Sequence, residues 1–277
     1  MTRRLRTYAE VVGPDRSGLA AQVGVQRDRV RRRLASVKAV VAVMSGKGGV
    51  GKSAVTAGLA RALAGDGARA VGVLDADLHG PTVARLLGAR GPVRVDAEAV
   101  HPVVAEGGVR VFSTDLLLDD GHPLSWRGPD SERFVWRSTL EAGALREFLA
   151  DVAWGALDVL LVDLPPGADR LADLAALAPL AGAVAVTLPS EESRRAVARA
   201  IRAARADGVA LLGVVENMSG YACRGCDAVQ PLFPGDAGAA LAREFDAPLL
   251  GRIPFVPGDA PPPVPSTLTD RVLEVLA

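Results

Sequence analysis

Short runs rich in Val, Leu and Ala recur along this chain and constrain its fold more than any other feature. They are Ala39–Met44, Ala70–Leu74, Val109–Phe112, Asp158–Val162, Ala183–Leu188, Leu211–Val215 and Leu249–Ile253. A strand that is apolar on both faces has to be covered on both. Helical stretches lie between the runs to do so: Ala54–Ala64, Ser131–Ala153, Glu191–Asp207, Asp236–Phe245 and Leu268–Leu276. The alternation predicts an α/β fold of three layers, with a mostly parallel central sheet and helices on both faces.

The first run leads into Gly46-Lys47-Gly48-Gly49-Val50-Gly51-Lys52-Ser53, and Ala54 opens the first of those helices. Strand, glycine turn and helix N-terminus in that order make a phosphate-binding loop, and the fold becomes that of a P-loop NTPase. Backbone N–H groups of the turn and first helical turn point at phosphate oxygens, Lys52 bridges the β- and γ-phosphates of ATP, and Ser53 ligates Mg²⁺. Among 32 basic residues, lysine occurs only at positions 38, 47 and 52. A chain that writes nearly all its positive charge as arginine thus places two of its lysines here. A compact ammonium fits among phosphate oxygens where a guanidinium fork is too wide. Lys47 is surplus to the ordinary loop.

A Mg²⁺-nucleotide also needs a carboxylate at the end of a second buried strand, and Leu160-Leu161-Val162-Asp163 supplies it, making Asp163 the Walker-B candidate. The following Leu164-Pro165-Pro166-Gly167 forms a rigid turn that presents the Gly167 N–H to the γ-phosphate. A third strand ends in Asp75-Ala76-Asp77, at the carboxyl edge where such sites sit. Either carboxylate orients the attacking water, or it caps a helix or turn.

Formal net charge is zero, so no global field favours nucleic acid or an anionic membrane. No apolar run approaches the roughly 20 residues of a membrane span. The expectation is a cytoplasmic protein with neither nucleic acid nor membrane as partner. Residues 1–37 read as an Arg-rich lead-in with Val25–Leu34 helical and Arg31-Arg32-Arg33 on a solvated face, and residues 38–277 as one ATPase domain. The proline-rich stretch from Pro257 to Pro265 reads as a loop. Only two cysteines exist, Cys223 and Cys226, too few for a disulfide framework, so they are ligands or redox thiols.

The early lysine of GKGGVGKS resembles the deviant Walker-A ATPases, the group holding MinD, ParA and the nitrogenase iron protein. Leu74-Asp75-Ala76-Asp77-Leu78-His79-Gly80-Pro81, Trp126-Arg127-Gly128-Pro129, Asp163-Leu164-Pro165-Pro166-Gly167 and Glu216-Asn217-Met218-Ser219 before Cys223-Arg224-Gly225-Cys226 narrow the likeness to the Mrp/ApbC iron–sulfur carrier ATPases. The resemblance covers roughly residues 34 to 256. It implies a homodimer in which Lys47 reaches the partner's nucleotide, Asn217 reads adenine, and the Arg252-Ile253-Pro254 segment lines the base pocket. The sequence departs from the family after Gly167, where the usual Thr-Gly-Asp is shortened by one residue, Ala168-Asp169-Arg170 keeping Asp169 and losing the Thr and Gly. It also lacks the N-terminal cysteine cluster of some members, so a cluster has to use Cys223 and Cys226.

Two thiolates per chain are half of the four a 4Fe-4S cluster commonly takes, and a symmetric dimer closes the arithmetic. A dimer-bridging Zn²⁺ and a dithiol redox pair are the alternatives. The sequence reading is therefore an ATP-hydrolysing carrier of a dimer-bridging 4Fe-4S cluster, receiving it from donors and passing it to acceptor apoproteins. A MinD- or ParA-like spatial organiser and a nucleotide-binding scaffold with little hydrolysis are the other readings.

Overall fold

A computed structural model describes residues 19–65, 67–117, 133–167, 169–222, 225, 228–255, 257–258 and 260–276. The chain order is α1 (Leu19–Arg33), β1 (Val37–Ser45), α2 (Lys52–Ala64), β2 (Val71–Asp75), α3 (Val83–Leu87), β3 (Arg94–Val95), β4 (Val100–His101), β5 (Val103–Val104) and β6 (Arg110–Phe112). It continues with α4 (Arg133–Asp151), β7 (Leu157–Asp163), α5 (Asp169–Leu177), β8 (Leu180–Thr187), α6 (Glu191–Ala206), β9 (Leu211–Ala222), β10 (Val229–Gln230), α7 (Ala237–Glu244), β11 (Leu249–Phe255) and α8 (Ser266–Glu274).

β1 is the axis of the sheet. It pairs in parallel with β7 on one side and β8 on the other, and the parallel order runs β11-β9-β8-β1-β7-β2-β6. Antiparallel β5 and β10 border β6 and β9. Alternation along β1 sorts its side chains into two cores. Val40, Ala42 and Met44 pack with Val30 and Leu34 around α1, with Leu149 of α4, Leu174 of α5, Ile201 of α6 and Leu241 of α7. Val41 and Val43 pack with Val55 and Leu59 of α2, Leu87 of α3, and Leu268 and Val272 of α8. This is the expected three-layer arrangement, and it puts the ends of β1, β2 and β7 side by side at one edge.

Each expected run is a strand, but β9 continues seven residues past Val215, to Ala222. The polar Glu216-Asn217 and the Ser219-Gly220 pair break the apolar pattern, but the strand continues, because β11 pairs with Glu216 and Asn217 and, after a register shift, with Tyr221. The short helices α3 and α5 were not expected. α5 follows the prolines after Asp163 so closely that its sequence reads as part of a turn.

α1 is joined tightly to the sheet. Val30 and Leu34 are buried, the Leu34 N–H donates to Val30 O (2.9 Å), and the Val37 N–H donates to Leu34 O (2.9 Å), so the helix passes into β1 through one turn. Arg29 pairs with Asp151 at 2.5 Å and Arg33 Nε donates to Ala150 O at 2.9 Å, both at the end of α4. Arg31 and Arg32 are exposed. Leu34→Ala is therefore expected to lower stability by about 2–4 kcal/mol, the range for truncating a buried leucine. Urea unfolding measures it, and a loss below about 1 kcal/mol would mean that α1 is peripheral to the fold.

Candidate functional site

The phosphate loop is shaped by where side chains are forbidden. Gly49 and Gly51 both have φ 76°, the left-handed region that glycine enters at little cost. A Cβ on Gly46 would lie 2.1 Å from the backbone carbon of Ala196, so α6 crosses directly against the start of the loop. Gly51 is the N-cap of α2 and brings no side-chain cap. The first intrahelical bond runs from the Val55 N–H to Gly51 O at 3.0 Å, leaving the N–H groups of Lys52, Ser53 and Ala54 without a partner inside the helix. A Cβ on Gly49 would meet nothing within 4 Å, and one on Gly48 only Pro166 Cγ at 3.9 Å. The loop thus presents open space and uncapped donors, the setting that favours an anion.

Asp163 gathers the polar side chains of α2. Its Oδ2 accepts from Lys52 Nζ at 2.7 Å and Ser53 Oγ at 2.6 Å, and its Oδ1 from Thr56 Oγ1 at 2.6 Å. Lys52 is 6% exposed and Asp163 0%, so this is a buried ion pair whose acceptor sites are also filled by hydroxyls. Thr56 was not anticipated. Its spacing of four from Lys52 sets it on the same helix face and was the available signal.

Asp75 is the cross-strand neighbour of Asp163 between β2 and β7. Its Oδ2 accepts from the N–H of Thr82 (2.9 Å) and Val83 (3.1 Å) and from Ser113 Oγ (3.2 Å), while Oδ1 accepts the Asp77 N–H (3.2 Å). This is the capping arrangement, with the start of α3 as its object. Burial chiefly, and then the Asp163 charge, push its carboxyl up from 3.8 to about 7 against the lowering effect of the Val83 N–H. Asp77 is half-buried near the same edge, and its Oδ1 accepts the His79 N–H at 3.3 Å.

The turn after Asp163 differs from its expected use. The Gly167 N–H donates to Ser45 O at 3.0 Å, after Leu164 N–H donates to Val43 O at 3.1 Å, so β7 goes on bonding to β1 past the strand end. The Gly167 donor is spent on this ladder and not directed at a γ-phosphate. Lys47 Nζ stands 3.8 Å from Glu192 Oε2, with side chains 36% and 90% exposed. Such a pair holds by less than about 1 kcal/mol and leaves Lys47 easy to redirect.

Asn217 is buried, and its Nδ2 donates to Val50 O at 2.8 Å. The group expected to read adenine is here bonded to the phosphate loop. β9–β11 pairing sets Ile253 opposite Asn217, so the adjacent Pro254 falls beside it, on a sheet-edge strand where a missing N–H is tolerated. Beyond Asn217, β9 runs to Ala222 and pairs antiparallel with β10. Cys223 and Cys226, in the connection between these strands, lie outside the described residues, as do Trp126-Arg127-Gly128-Pro129 and His122.

Among the described residues no group of three or more His, Cys, Asp and Glu could hold a metal. Mg²⁺ needs no such cage, since it usually takes one or two protein oxygens with waters and phosphates. The hydroxyl of Ser53 and the carboxylate of Asp163, drawn together at 2.6 Å, are hard oxygen donors that fit it.

Residues 36–260 match the ParA family, described as NUBPL iron-transfer P-loop NTPase. The chain is 40% identical over 235 residues to an iron-sulfur cluster carrier protein of Saccharolobus solfataricus, covering 84% of this chain and 76% of that one. It is 38% identical over 242 residues to the cytosolic Fe-S cluster assembly factor CFD1 of Chaetomium globosum, covering 81% and 76%. Among solved structures, a nucleotide-binding protein from Archaeoglobus fulgidus in complex with ADP superposes with TM-score 0.69 at 36% identity, covering 90% and 92%.

Thr56→Val keeps the shape but removes a donor from buried Asp163, so a stability loss of about 1–3 kcal/mol and weaker Mg²⁺-nucleotide binding are expected. Urea unfolding and calorimetry check the two parts. Asp75 gives a signed pH dependence. Its folded value lies above the unfolded one, so its contribution to stability is complete below about pH 4 and is lost as pH rises through about 7. Asp75→Asn should therefore gain on the parent protein between about pH 4 and pH 8, and parallel curves of urea midpoint against pH would contradict this assignment.

Proposed function

The chain belongs to the ParA/NUBPL family of iron-transfer P-loop NTPases, and on that premise we propose that it is an ATP-hydrolysing homodimer that carries an iron–sulfur cluster to acceptor apoproteins. One observation carries the reading. A single strand, β9, touches the phosphate loop through Asn217 and runs on toward the chain's only two cysteines.

The ATPase half follows from the loop. The N–H groups of Lys52, Ser53 and Ala54 and the turn from Gly46 to Gly51 bind phosphate oxygens. The Lys52 ammonium, now paired with Asp163, turns to the β- and γ-phosphates. Ser53 and Asp163 hold Mg²⁺, which supplies charge neutralisation on the phosphate oxygens when bound. Asp77 orients the attacking water. Asp75, saturated by backbone and Ser113 donors, is a positioning residue that fixes the strand end beside Asp163. Water adds to the γ-phosphorus as the bond to the bridging oxygen breaks, giving ADP and phosphate. Lys47 leaves Glu192 and stabilises the partner's phosphates in trans, while Asn217 and Pro254 line the base pocket.

The cargo half rests on arithmetic. Cys223 and Cys226 give two thiolates per chain and four per symmetric dimer, the number a 4Fe-4S cluster commonly takes. Their flanks are the strands β9 and β10, whereas a thioredoxin-type dithiol pair opens a helix, which weighs against the redox alternative. A cytoplasmic site of action fits the cytosolic relative, and among the described residues no helix is long and apolar enough to cross a membrane.

Lys47→Ala is expected to retain ATP binding within about threefold and to lose hydrolysis by about a hundredfold or more, as for a group that acts on the transition-state charge. Equal steady-state rates would remove the trans role. Anaerobic reconstitution of the parent protein should give iron–sulfur absorbance that Cys223→Ala and Cys226→Ala lose. An unchanged iron and sulfide yield in either variant would overturn the cluster assignment.

A further inference from the structure

A second cluster of positive charge lies at the end of the sheet away from the phosphate loop. Arg110 opens β6, which runs parallel to β2, so it stands at the opposite end of these strands from Asp75. β3 and β4 form a separate two-stranded sheet with Arg94 opposite His101, and Pro102 joins β4 to β5 at the border of the main sheet. Where the two sheets meet is an open cavity of about 420 Å³, within the size range of small-molecule sites. Arg94, His101 and Arg110 line it together with Pro102, Val103 and Val104.

Arg110 is built into this place. Its Nη1 donates to Trp154 O at 2.5 Å and to Ala156 O at 3.1 Å, in the connection between α4 and β7. The residue between those two, Gly155, has φ 66°, and a Cβ there would stand 2.9 Å from the same nitrogen. Glycine therefore gives both the left-handed backbone and the room for the guanidinium. One nitrogen fixes the group, while Nε and Nη2 keep donors without a protein acceptor among the described residues. Asp96 beside this cluster already has its partners. Its Oδ1 accepts the Glu98 and Ala99 N–H groups at 2.9 and 3.0 Å, closing the β3–β4 turn, and its Oδ2 meets His101 Nε2 at 2.6 Å. Neither Arg94 nor Arg110 forms an ion pair among the described residues. Two guanidinium groups on different sheets thus line one cavity uncompensated, beside apolar walls. A merely solvated arginine needs no glycine and no pair of carbonyls to hold it.

We propose that the cleft between the β3–β4 hairpin and β5 binds a small dicarboxylate, with one carboxylate on Arg110, the other on Arg94, and its short apolar chain against Pro102 and Val103. A guanidinium fork meets a carboxylate through two parallel hydrogen bonds, which is the use the free donors of Arg110 suit. The apolar walls favour a carbon chain between the charges over a bare inorganic anion. The site is separate from the phosphate loop and requires neither nucleotide nor cluster.

Succinate is the probe, titrated by calorimetry into the full chain in a buffer free of other carboxylates and of phosphate. The phosphate loop also attracts anions, so titrations are run with and without saturating Mg²⁺-ADP. Saturable binding is expected, at an affinity that ADP changes by less than about twofold, and acetate, with a single carboxylate, should bind about tenfold or more weakly. Arg94 is exposed and outside any ion pair among the described residues, so Arg94→Gln should fold as the parent does and weaken succinate by about tenfold. Arg110→Lys keeps the charge, loses the fork and should weaken succinate by about as much. The proposal is overturned by an absence of succinate binding up to about 10 mM, or by loss of binding when ADP fills the loop. Inorganic phosphate bound as tightly as succinate, or a folded Arg94→Gln with parental affinity, overturns it equally. Failure of ADP to bind would count against the function proposed above and leave the succinate comparison standing.

Discussion

A parallel sheet buried on both faces leaves its polar chemistry one place to go, the ends of the strands. In this chain β1, β2 and β7 run side by side with apolar residues above and below, and the loop, Asp75 and Asp163 all appear where those strands stop. The ladder fixes their mutual positions. Asp163 is opposite both Val43 and Asp75, and α2 departs from the loop at an angle that lays Lys52, Ser53 and Thr56 against its carboxylate. A water-free neighbourhood makes each of these contacts stronger than it would be in solvent and makes an unpaired member expensive. The site is therefore a property of the sheet register before it is a property of any loop.

Much of this was legible in the sequence because the order of apolar runs and helical stretches, with one glycine pattern, leaves little choice. Apolar runs separated by helical stretches gave a sheet covered on both faces, and the glycine-rich turn between the first run and the first helix gave a phosphate site. What could not be read were second uses of the same residues. Asp75 looked equally like a cap and a water-orienting carboxylate, and only the approach of Thr82 and Val83 N–H groups distinguishes them. Gly167 looked like a phosphate donor, yet its N–H completes the β7–β1 ladder. Asn217 was identified through resemblance as a base reader, and no pattern in the chain announces its bond to Val50. The last two depend on contacts between residues more than 100 positions apart, and the first on a local turn that folds back onto the carboxylate; neither is encoded in the order of apolar runs.

The arginine bias of the chain meets the same logic. Arginine serves where a fork bridging several acceptors is useful, as at Arg252 with Glu216 and Asp236, or Arg194 with Glu191 and Glu244. Lysine survives where a single point charge meets one carboxylate, as at Lys38 with Asp158. Lys52 sits on Asp163 and Lys47 near Glu192, and neither pairing is bidentate.

Lys52 then has a consequence for how this protein is handled. Substituting the lysine of such a loop is the usual way to make a nucleotide-null control, on the assumption that only ligand contacts are lost. Here the same substitution strips a buried carboxylate of its sole cationic partner among the described residues. A cell or assay receiving that variant would be seeing a less stable protein as well as an empty one, and the two effects share a phenotype. A control that keeps a cation on Asp163 while closing the loop, by a side chain at Gly49 for example, would separate abundance from occupancy.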